Sequence, residues 1–351
     1  MRIRIHAASA VARIIAWANA LCLVISPIAG EARAEVHRVE ATTYRDTFSH
    51  AHPVLKRVRP GDSVITKTLD ASGRDEMGVI RGGSKNPLTG PFYVEGAEPG
   101  DALIVRLAKV RLNRNWGYSG YRLMLTSLTP ETIEGLYPNR YKENLVIPGR
   151  AAVVPWDLDI KRQSVRLREP TSQVVQLEFP AKPMLGCIGV APAGDFAPTS
   201  VPSGPYGGNL DYNQIGEGVT VLLPVYHPGG LLFIGDGHAL QADGEPIGNG
   251  IETSMSVEFT VDLRKKSNLT GPRAETEDHI ISIGSQAEFI NSLDRALQMA
   301  TSDMAAWLSK EYKLEPWAAH LLIGYQGRYD VITIAGSMAL KIPKKLLPRA
   351  R

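Results

Sequence analysis

The sequence predicts a mainly β fold, an antiparallel sandwich or barrel-like assembly with a C-terminal helical segment packed on it. Residues 35 to about 261 contain short apolar and β-branched runs with period-two alternation, and turn signals such as Pro-Gly-Asp and Pro-Gly-Gly separate them. From residue 285 onward the apolar residues recur at spacings of three and four, which is the pattern of an amphipathic helix. Helices that follow a strand-rich region are typical of this architecture.

Six runs in the first part of the chain are predicted to be strands, because polar and apolar side chains alternate in them or because they are short and wholly apolar. In chain order they are residues 64–69, 102–107, 174–179, 219–225, 231–234 and 256–263. Proline and glycine between these runs favour tight turns, which antiparallel strands require.

The C-terminal part changes character near residues 271–272. A helix is predicted over residues 285–312, with an apolar stripe made of Phe289, Leu293, Leu297, Ala300, Met304 and Leu308. A second helix is predicted over 315–323, where Trp317 and Leu321 are four apart and are expected to face the core. Residues 329–334 and 337–342 return to a strand pattern. The expected organisation is a signal peptide (1–34), a β-rich core (35–272) and an α/β part of the same unit (273–351).

The first 34 residues have the features of a secretory signal peptide. Arg2 and Arg4 precede a largely apolar run, and Ala32-Arg33-Ala34 is a small-x-small cleavage site. The uncharged part of that run, residues 14–28, is short for a membrane span. We therefore expect cleavage between Ala34 and Glu35 and an exported protein, either periplasmic or secreted.

Removal of residues 1–34 takes away four basic side chains and one acidic one, so the positive and negative charges of the remaining chain balance. Nothing in this balance points to nucleic acid or, after cleavage, to a membrane surface. Cys187 is then the only cysteine, and its apolar surroundings in residues 185–190 predict a buried structural thiol.

Polar residues of interest concentrate between residues 204 and 258, where glycine is frequent. The acids and the histidine of this region are Asp211, Asp236, His238, Asp243, Glu245 and Glu252. Asp-Gly and Gly-Asp pairs are ordinary turn chemistry, so each acid taken alone is explained by a turn. Together, carboxylates and an imidazole form a ligand set for a divalent metal, zinc in particular.

The same region carries a resemblance to the acetamidase/formamidase family, and matching motifs extend over most of the chain after residue 34. The motifs lie at residues 53–55, 60–62, 70–71, 88–91, 96–101, 116–118, 183–192, 206–211, 235–245, 250–252, 272–276 and 341–345. The resemblance implies a β-rich, sandwich-like fold, frequent oligomers, and hydrolysis of a short-chain amide to a carboxylate and ammonia. A homo-oligomer and a small-molecule amide are therefore the expected partners.

Amide hydrolysis requires an activated water, a polarised carbonyl and a proton for the leaving nitrogen. The sequence has no Gly-x-Ser-x-Gly motif, which favours metal-assisted chemistry over a serine nucleophile. The expected metal ligands are Asp211, Asp236 and His238, with Asp70 or Glu252 as a further ligand. Zinc is the first choice because a histidine is present, and calcium is the second.

The other roles are distributed among neighbouring residues of the same region. Glu245 is the expected general acid/base, with His238 and Asp243 as further catalytic candidates, and Gly208, Asn209 and Gln241 are candidates for substrate binding. Two alternatives stay open. One is an exported hydrolase of a cyclic or larger amide, and the other is a non-catalytic binding protein on the same scaffold.

Overall fold

A computed structural model describes residues 34–136, 153–285 and 292–348 of the chain. The fold described below belongs to the compact unit Ala34–Arg351. The predicted signal peptide, apart from Ala34, lies outside the described residues, as does Phe289 of the predicted helical stripe. Within the described ranges, no helix is both long and apolar enough to cross a membrane.

Two large β-sheets confirm the prediction of a mainly β fold; their strands are numbered in chain order. The nine-stranded sheet consists, in spatial order, of β1 (Val36–Arg38), β3 (Ser63–Lys67), β16 (Met255–Arg264), β5 (Ala102–Leu112), β13 (Thr220–Pro224), β17 (Arg273–Glu275), β18 (His279–Gly284), β20 (Ser337–Pro343) and β19 (Arg328–Thr333). Its neighbours are antiparallel except for the parallel pair β1–β3.

The second sheet has eleven strands and carries most of the polar region singled out above. Its main path is β11 (Ser203–Gly204), β12 (Gly207–Asn209), β10 (Met184–Val190), β14 (Leu232–His238), β15 (Glu252–Thr253), β6 (Trp116–Ser119), β7 (Val154–Asp159), β8 (Ser164–Leu167) and β9 (Glu178–Pro180). Beside that path, β4 (Leu88–Val94) pairs with β14 and also with β2 (Lys56–Val58), the latter in parallel.

Side chains from both sheets pack into one hydrophobic core. Phe92 of β4 meets Phe259 of β16 edge to face, with ring centroids 5.3 Å apart, and both rings are fully buried. Such aromatic pairs contribute more than their buried area alone. Because β13 pairs with β17, the residues on either side of position 272 belong to the same nine-stranded sheet.

Two of the strand predictions need correction. Residues 174–177 are not a strand: Val174 is 95% exposed, so its apolar side chain does not face a core, and only β9 pairs with β8. The predicted strand 231–234 continues through His238, so the sequence Gly235-Asp-Gly-His238 lies inside β14 and is not a turn.

Helix α1 (Pro130–Leu136) is short, and the main helices are α2 (Leu293–Lys310) and α3 (Pro316–Gln326). The hydroxyl of Ser292 caps α2 by accepting a hydrogen bond from the Arg295 amide. Ala300 and Met304 of the predicted stripe are fully buried against Ile280 and Leu340 of the nine-stranded sheet. The helical segment therefore packs on the β core as predicted.

Some side chains that were expected to face the core do not. Leu297, in the second turn of α2, is 38% exposed, whereas Ala296 and Ala300 are fully buried. The prediction for α3 is also wrong: Trp317 is 65% and Leu321 50% exposed. The buried residue of α3 is Ala319, which lies on a different side of this almost uniformly apolar helix.

Candidate metal and active site

Adjacent strands of the eleven-stranded sheet bring four of the predicted residues together. Asp236 and His238 lie on β14, and the strand pairing places His238 directly opposite Glu252 of β15. Asp211 follows β12, and its amide donates to the carbonyl of Gly186 on β10, the neighbour of β14. The sheet therefore gathers residues that are up to 41 positions apart in the sequence.

The side chains form a compact, buried cluster, called here the acidic cluster: Asp211, Asp236, His238 and Glu252. One ligand atom from each of Asp211, Asp236 and His238 lies within 4.8 Å of the others. The Nε2 atom of His238 is 3.1 Å from Oε1 of Glu252 and 3.5 Å from Oδ1 of Asp236. Each of the four residues is 4% exposed or less.

Each member of the acidic cluster has a buried polar atom that lacks a hydrogen-bond partner among the described residues. The atoms are Oδ1 of Asp211, Oδ1 of Asp236, Nε2 of His238 and Oε2 of Glu252. Buried polar atoms are nearly always satisfied, and an orphaned one costs the free energy of its lost hydration. A divalent cation held by these three carboxylates and the imidazole would remove that cost, so the donor set fits such an ion.

Gln241 determines which nitrogen of His238 carries the proton. The amide nitrogen of Gln241 donates to the carbonyl of Asp211 at 2.6 Å, which leaves its oxygen facing Nδ1 of His238 at 2.7 Å. That oxygen only accepts, so Nδ1 is the donor and Nε2, which faces the acids, is free of a proton in the neutral ring. A histidine held in this way presents Nε2 as a metal ligand.

Two glycines leave the space that the acidic cluster fills. A Cβ atom at Gly186 would lie 2.7 Å from carboxylate oxygens of both Asp211 and Asp236. A Cβ at Gly250 would lie 2.6 Å from Cγ and Nδ1 of the His238 ring. The glycines of this region thus serve close packing as well as turns.

Burial and mutual repulsion alter the proton affinities of the cluster. Burial, followed by the charge of Asp236, raises the pKa of Asp211 to about 7, and burial with the same neighbour raises the pKa of Glu252 to about 8. Burial opposes the charged form of His238, but the charges of Glu252 and Asp236 outweigh it and raise its pKa. Concentrated negative charge of this kind is what a cation compensates.

Glu245 lies on the segment between β14 and β15 and is 7% exposed. Burial is the main reason that its pKa rises well above the usual range, and the charge of Asp211 adds to the effect. The preceding residue, Gly244, donates to the carbonyl of Val331, and its own carbonyl accepts from the amide of Ile334. The C-terminal strand β19 and its turn therefore hold the Glu245 segment in place.

The backbone is unusual at three of the acids. Asp211, Asp236 and Glu245 have φ angles of 50°, 54° and 47°, in the left-handed region that glycine normally occupies. Such conformations cost on the order of 1–3 kcal/mol and cluster at functional sites.

Two predicted site residues lie apart from the acidic cluster. Asp70 does not join it, because one oxygen accepts from Arg114 at 2.7 Å and the other accepts the amides of Ser72 and Arg74. Its prediction as a metal ligand is therefore corrected to a structural ion pair. Asp243 is exposed to solvent, and its carboxylate accepts a hydrogen bond from Asn213 at 2.7 Å. Its carboxylate is therefore satisfied outside the acidic cluster.

The three predicted substrate-binding residues all lie at the site, but in supporting positions. Asn209 donates to Oδ2 of Asp211, and Gln241 holds His238 as described. Gly208 lies in β12, where a Cβ would be 2.8 Å from the carbonyl of Pro202, so a close backbone contact requires glycine there. Cys187 is fully buried as predicted, with Sγ 2.8 Å from Oδ1 of Asn209.

Sequence reasoning did not assign Asn86 and Tyr118 to the site. Asn86 donates to Oδ2 of Asp236 at 3.0 Å. Tyr118 lies opposite Glu252 on β6, its hydroxyl is 2.5 Å from that of Ser72, and burial together with the charge of Glu252 raises its pKa. Asn86 lies before β4 and Tyr118 lies on β6. The spatial order of strands β4–β14–β15–β6 brings both residues to the acidic cluster. Their spacing in the sequence therefore does not indicate that they belong to the site.

Comparison with known proteins identifies the class. The family model for the acetamidase/formamidase family matches residues 37–199 and 194–278, and the chain belongs to this family. It is 28% identical over 232 residues to a formamidase of Methylophilus methylotrophus, covering 55% of this chain and 57% of that protein. It is 31% identical over 193 residues to a putative formamidase of Schizosaccharomyces pombe, covering 45% and 46%. The chain thus spans about half the length of the curated relatives it matches.

Solved structures with a similar fold superpose on most of the chain. An acetamidase from Yersinia enterocolitica superposes with a TM-score of 0.74 at 26% identity, covering 92% of this chain and 96% of that one. An acetamidase from Bacillus halodurans gives 0.71 at 26% identity, covering 88% and 98%. A γ lactamase from Delftia acidovorans, at 0.52 and 19% identity with 88% and 90% covered, shares the fold alone.

Proposed function

We propose that this protein hydrolyses the carbon–nitrogen bond of a short linear amide of the formamide or acetamide kind, and releases ammonia and a carboxylate with the help of a divalent metal. Membership of the acetamidase/formamidase family supports the reaction class. The observation that carries the metal is the set of four buried, unpartnered atoms of the acidic cluster, which face one another.

Asp211, Asp236, His238 and Glu252 would hold the ion. Zinc is the first choice because an imidazole belongs to the set, whereas calcium prefers oxygen ligands alone. A bound divalent ion supplies Lewis acidity toward the amide carbonyl and makes a water more acidic. Gln241 supports this chemistry by accepting from Nδ1 of His238, so that Nε2 is the ring nitrogen left to hold the ion.

Glu245 is the proposed proton donor to the leaving nitrogen. Burial and the charge of Asp211 raise the pKa of Glu245, which favours the protonated carboxyl. An acid of this kind can protonate a poor leaving group as the bond breaks. Burial also bears on substrate size: the acidic cluster and Glu245 are all 7% exposed or less, which favours a small amide over a bulky one.

Export and self-association are parts of the proposal that rest on sequence patterns and on the family resemblance. The signal-peptide features of residues 1–34 support a periplasmic or secreted protein. A homo-oligomer stays a prediction.

An ammonia-release assay over formamide, acetamide, longer amides and a lactam tests the reaction. We expect turnover to be highest with the shortest linear amides. Glu245→Gln should lower kcat by about 10²–10⁴-fold, while the exposed neighbour Asp243→Asn, as a matched control, should stay within a few-fold of the parent protein. Failure of every amide to release ammonia would overturn the proposal in favour of a binding protein, and turnover of the lactam alone would favour a cyclic-amide hydrolase.

A further inference from the structure

A buried carboxylate receives the backbone nitrogen of Glu35, the residue that follows the predicted cleavage site. The Glu35 nitrogen donates to Oδ1 of Asp62 at 2.9 Å. Asp62 is 2% exposed and lies in the turn before β3. The carbonyl of Glu35 accepts from the amide of Ser63 at 2.8 Å, so the residue is fixed on both sides of its Cα.

The other oxygen of Asp62 is held by donors from two sides. Oδ2 accepts the amide of Arg59 at 2.9 Å and lies 2.9 Å from Nε2 of His37. Burial alone would raise the pKa of Asp62, but the bonds from His37, Arg59 and Glu35 outweigh it and lower the pKa to about 2. The group is therefore a permanent buried anion at neutral pH.

The charges that face this anion are few. Nε of the Arg59 guanidinium is 3.6 Å from Oδ2 of Asp62, and the Glu35 carboxylate in turn pairs with Nη2 of Arg59 at 3.3 Å and with Nδ1 of His37 at 3.5 Å. Oδ1 faces the Glu35 nitrogen, a neutral amide in the unprocessed chain. A cation at that nitrogen would place a positive charge on the donor of a hydrogen bond whose acceptor is already ionised, and would turn the contact into an ion pair.

We propose that Asp62 is a binding site for the α-ammonium group of Glu35, formed when a signal peptidase cleaves the chain between Ala34 and Glu35. Water adds across the peptide bond: Ala34 leaves with a carboxylate, and the Glu35 nitrogen becomes an ammonium, which the fold places at Oδ1 of Asp62. Processing then stabilises the exported protein at the same step that releases it. This proposal goes beyond the amide chemistry and is independent of it.

The test compares two proteins that differ by one residue. The full chain is produced in an exporting host, and the processed product is purified; its partner is the same sequence with a single methionine before Glu35. In the partner the Glu35 nitrogen stays an amide and the ammonium is displaced by one residue. Both proteins contain residues 35–351, which belong to the compact unit Ala34–Arg351.

The intact mass of the processed protein should show that it begins at Glu35. The melting temperature of the processed protein should be about 2 °C or more above that of its partner at pH 7. An ammonium that gains a carboxylate has a folded-state pKa above its unfolded value of about 8. Its contribution is complete below about pH 8 and is lost as pH rises through the folded-state pKa. The difference should therefore shrink toward zero by about pH 10–11. His37, Arg59 and the Glu35 carboxylate are present in both proteins, so the difference between the two melting temperatures does not come from these side chains.

Asp62→Asn in both proteins should abolish the difference between them while lowering the stability of each. A product that begins at any residue other than Glu35 would overturn the proposal. So would equal melting temperatures at pH 7, or a difference that does not change between pH 7 and pH 11. The comparison of the two parent proteins decides the matter even if the Asp62 variants fail to fold.

Discussion

Nδ1 of His238 lies 2.7 Å from Oε1 of Gln241, and this contact gives the imidazole a defined tautomer and orientation beside three acids. The amide of Gln241 is itself fixed by the carbonyl of Asp211, so one side chain links two of the proposed metal ligands. Neither ligand is held by its own strand alone. A residue outside the acidic cluster thus orients two of the proposed ligands.

Gln241→Ala should weaken metal binding by about 10–100-fold, because the ring of His238 would lose its orienting acceptor. The measurement is a competition titration of the metal against a chelator. Gln298→Ala on the exposed face of α2 is the matched control and should leave the affinity unchanged. Equal affinities for the two variants would show that Gln241 does not position His238.

Gly186→Ala should reduce metal content, because the added methyl group would lie 2.7 Å from oxygens of both Asp211 and Asp236 and would push the carboxylates apart. Gly186 has no positive φ, so the effect would come from contact and not from backbone strain. Gly271→Ala is the control, since a Cβ there meets nothing closer than 3.7 Å. Full metal content in the Gly186 variant would mean that the carboxylates are not held in their present positions.

Asp70→Asn should destabilise the fold without loss of metal. Arg114 lies 2.7 Å from Asp70, both side chains are 1% exposed or less, and the guanidinium also stacks on Trp116. Removal of one member of a buried ion pair leaves the other charge uncompensated and costs about 3–5 kcal/mol. Urea unfolding and elemental analysis of the same sample separate the two effects. Loss of metal at unchanged stability would restore Asp70 as a ligand.

Met304→Asp should lower the melting temperature of the whole protein in a single cooperative transition, because Met304 is fully buried between α2 and the nine-stranded sheet. Leu297→Asp, two turns earlier in the same helix at a position that is 38% exposed, is the control and should have a smaller effect. A Met304 variant that melts in two steps would contradict the packing of the helical segment with the β core.

The sequence predicted the features that depend on local patterns. Period-two alternation located strands such as β16 and β20, and the spacing of Ala300, Met304 and Leu308 located the buried side of α2. The buried face of α3 was predicted wrongly. This helix is apolar on nearly all sides, so its sequence has no periodicity that indicates which face is buried. Residues 174–177 were predicted to be part of a strand because they contain apolar side chains, but Val174 and Val175 are exposed and do not pack on a core.

The site could be predicted only as a set of residue types within one region. Composition indicated Asp211, Asp236, His238 and Glu252, but the reason they meet is the adjacency of β10, β14 and β15, which is not a local property. The same limit explains the error on Asp70, whose partner Arg114 is 44 positions away. It also explains why Asn86, 150 positions from Asp236, was not assigned.

The dependence of amide hydrolysis on a bound metal is tested by measuring metal content and ammonia release on the same samples. The purified protein and its His238→Ala variant are analysed for bound metals and assayed with formamide and acetamide, before and after chelation. We expect about one divalent ion per chain, zinc first, with activity that is lost on chelation and restored by the metal. The variant should lack both the ion and the activity while keeping a cooperative melt. A metal-free protein that still releases ammonia from an amide, or a variant that keeps full activity, would contradict metal-assisted hydrolysis at the acidic cluster.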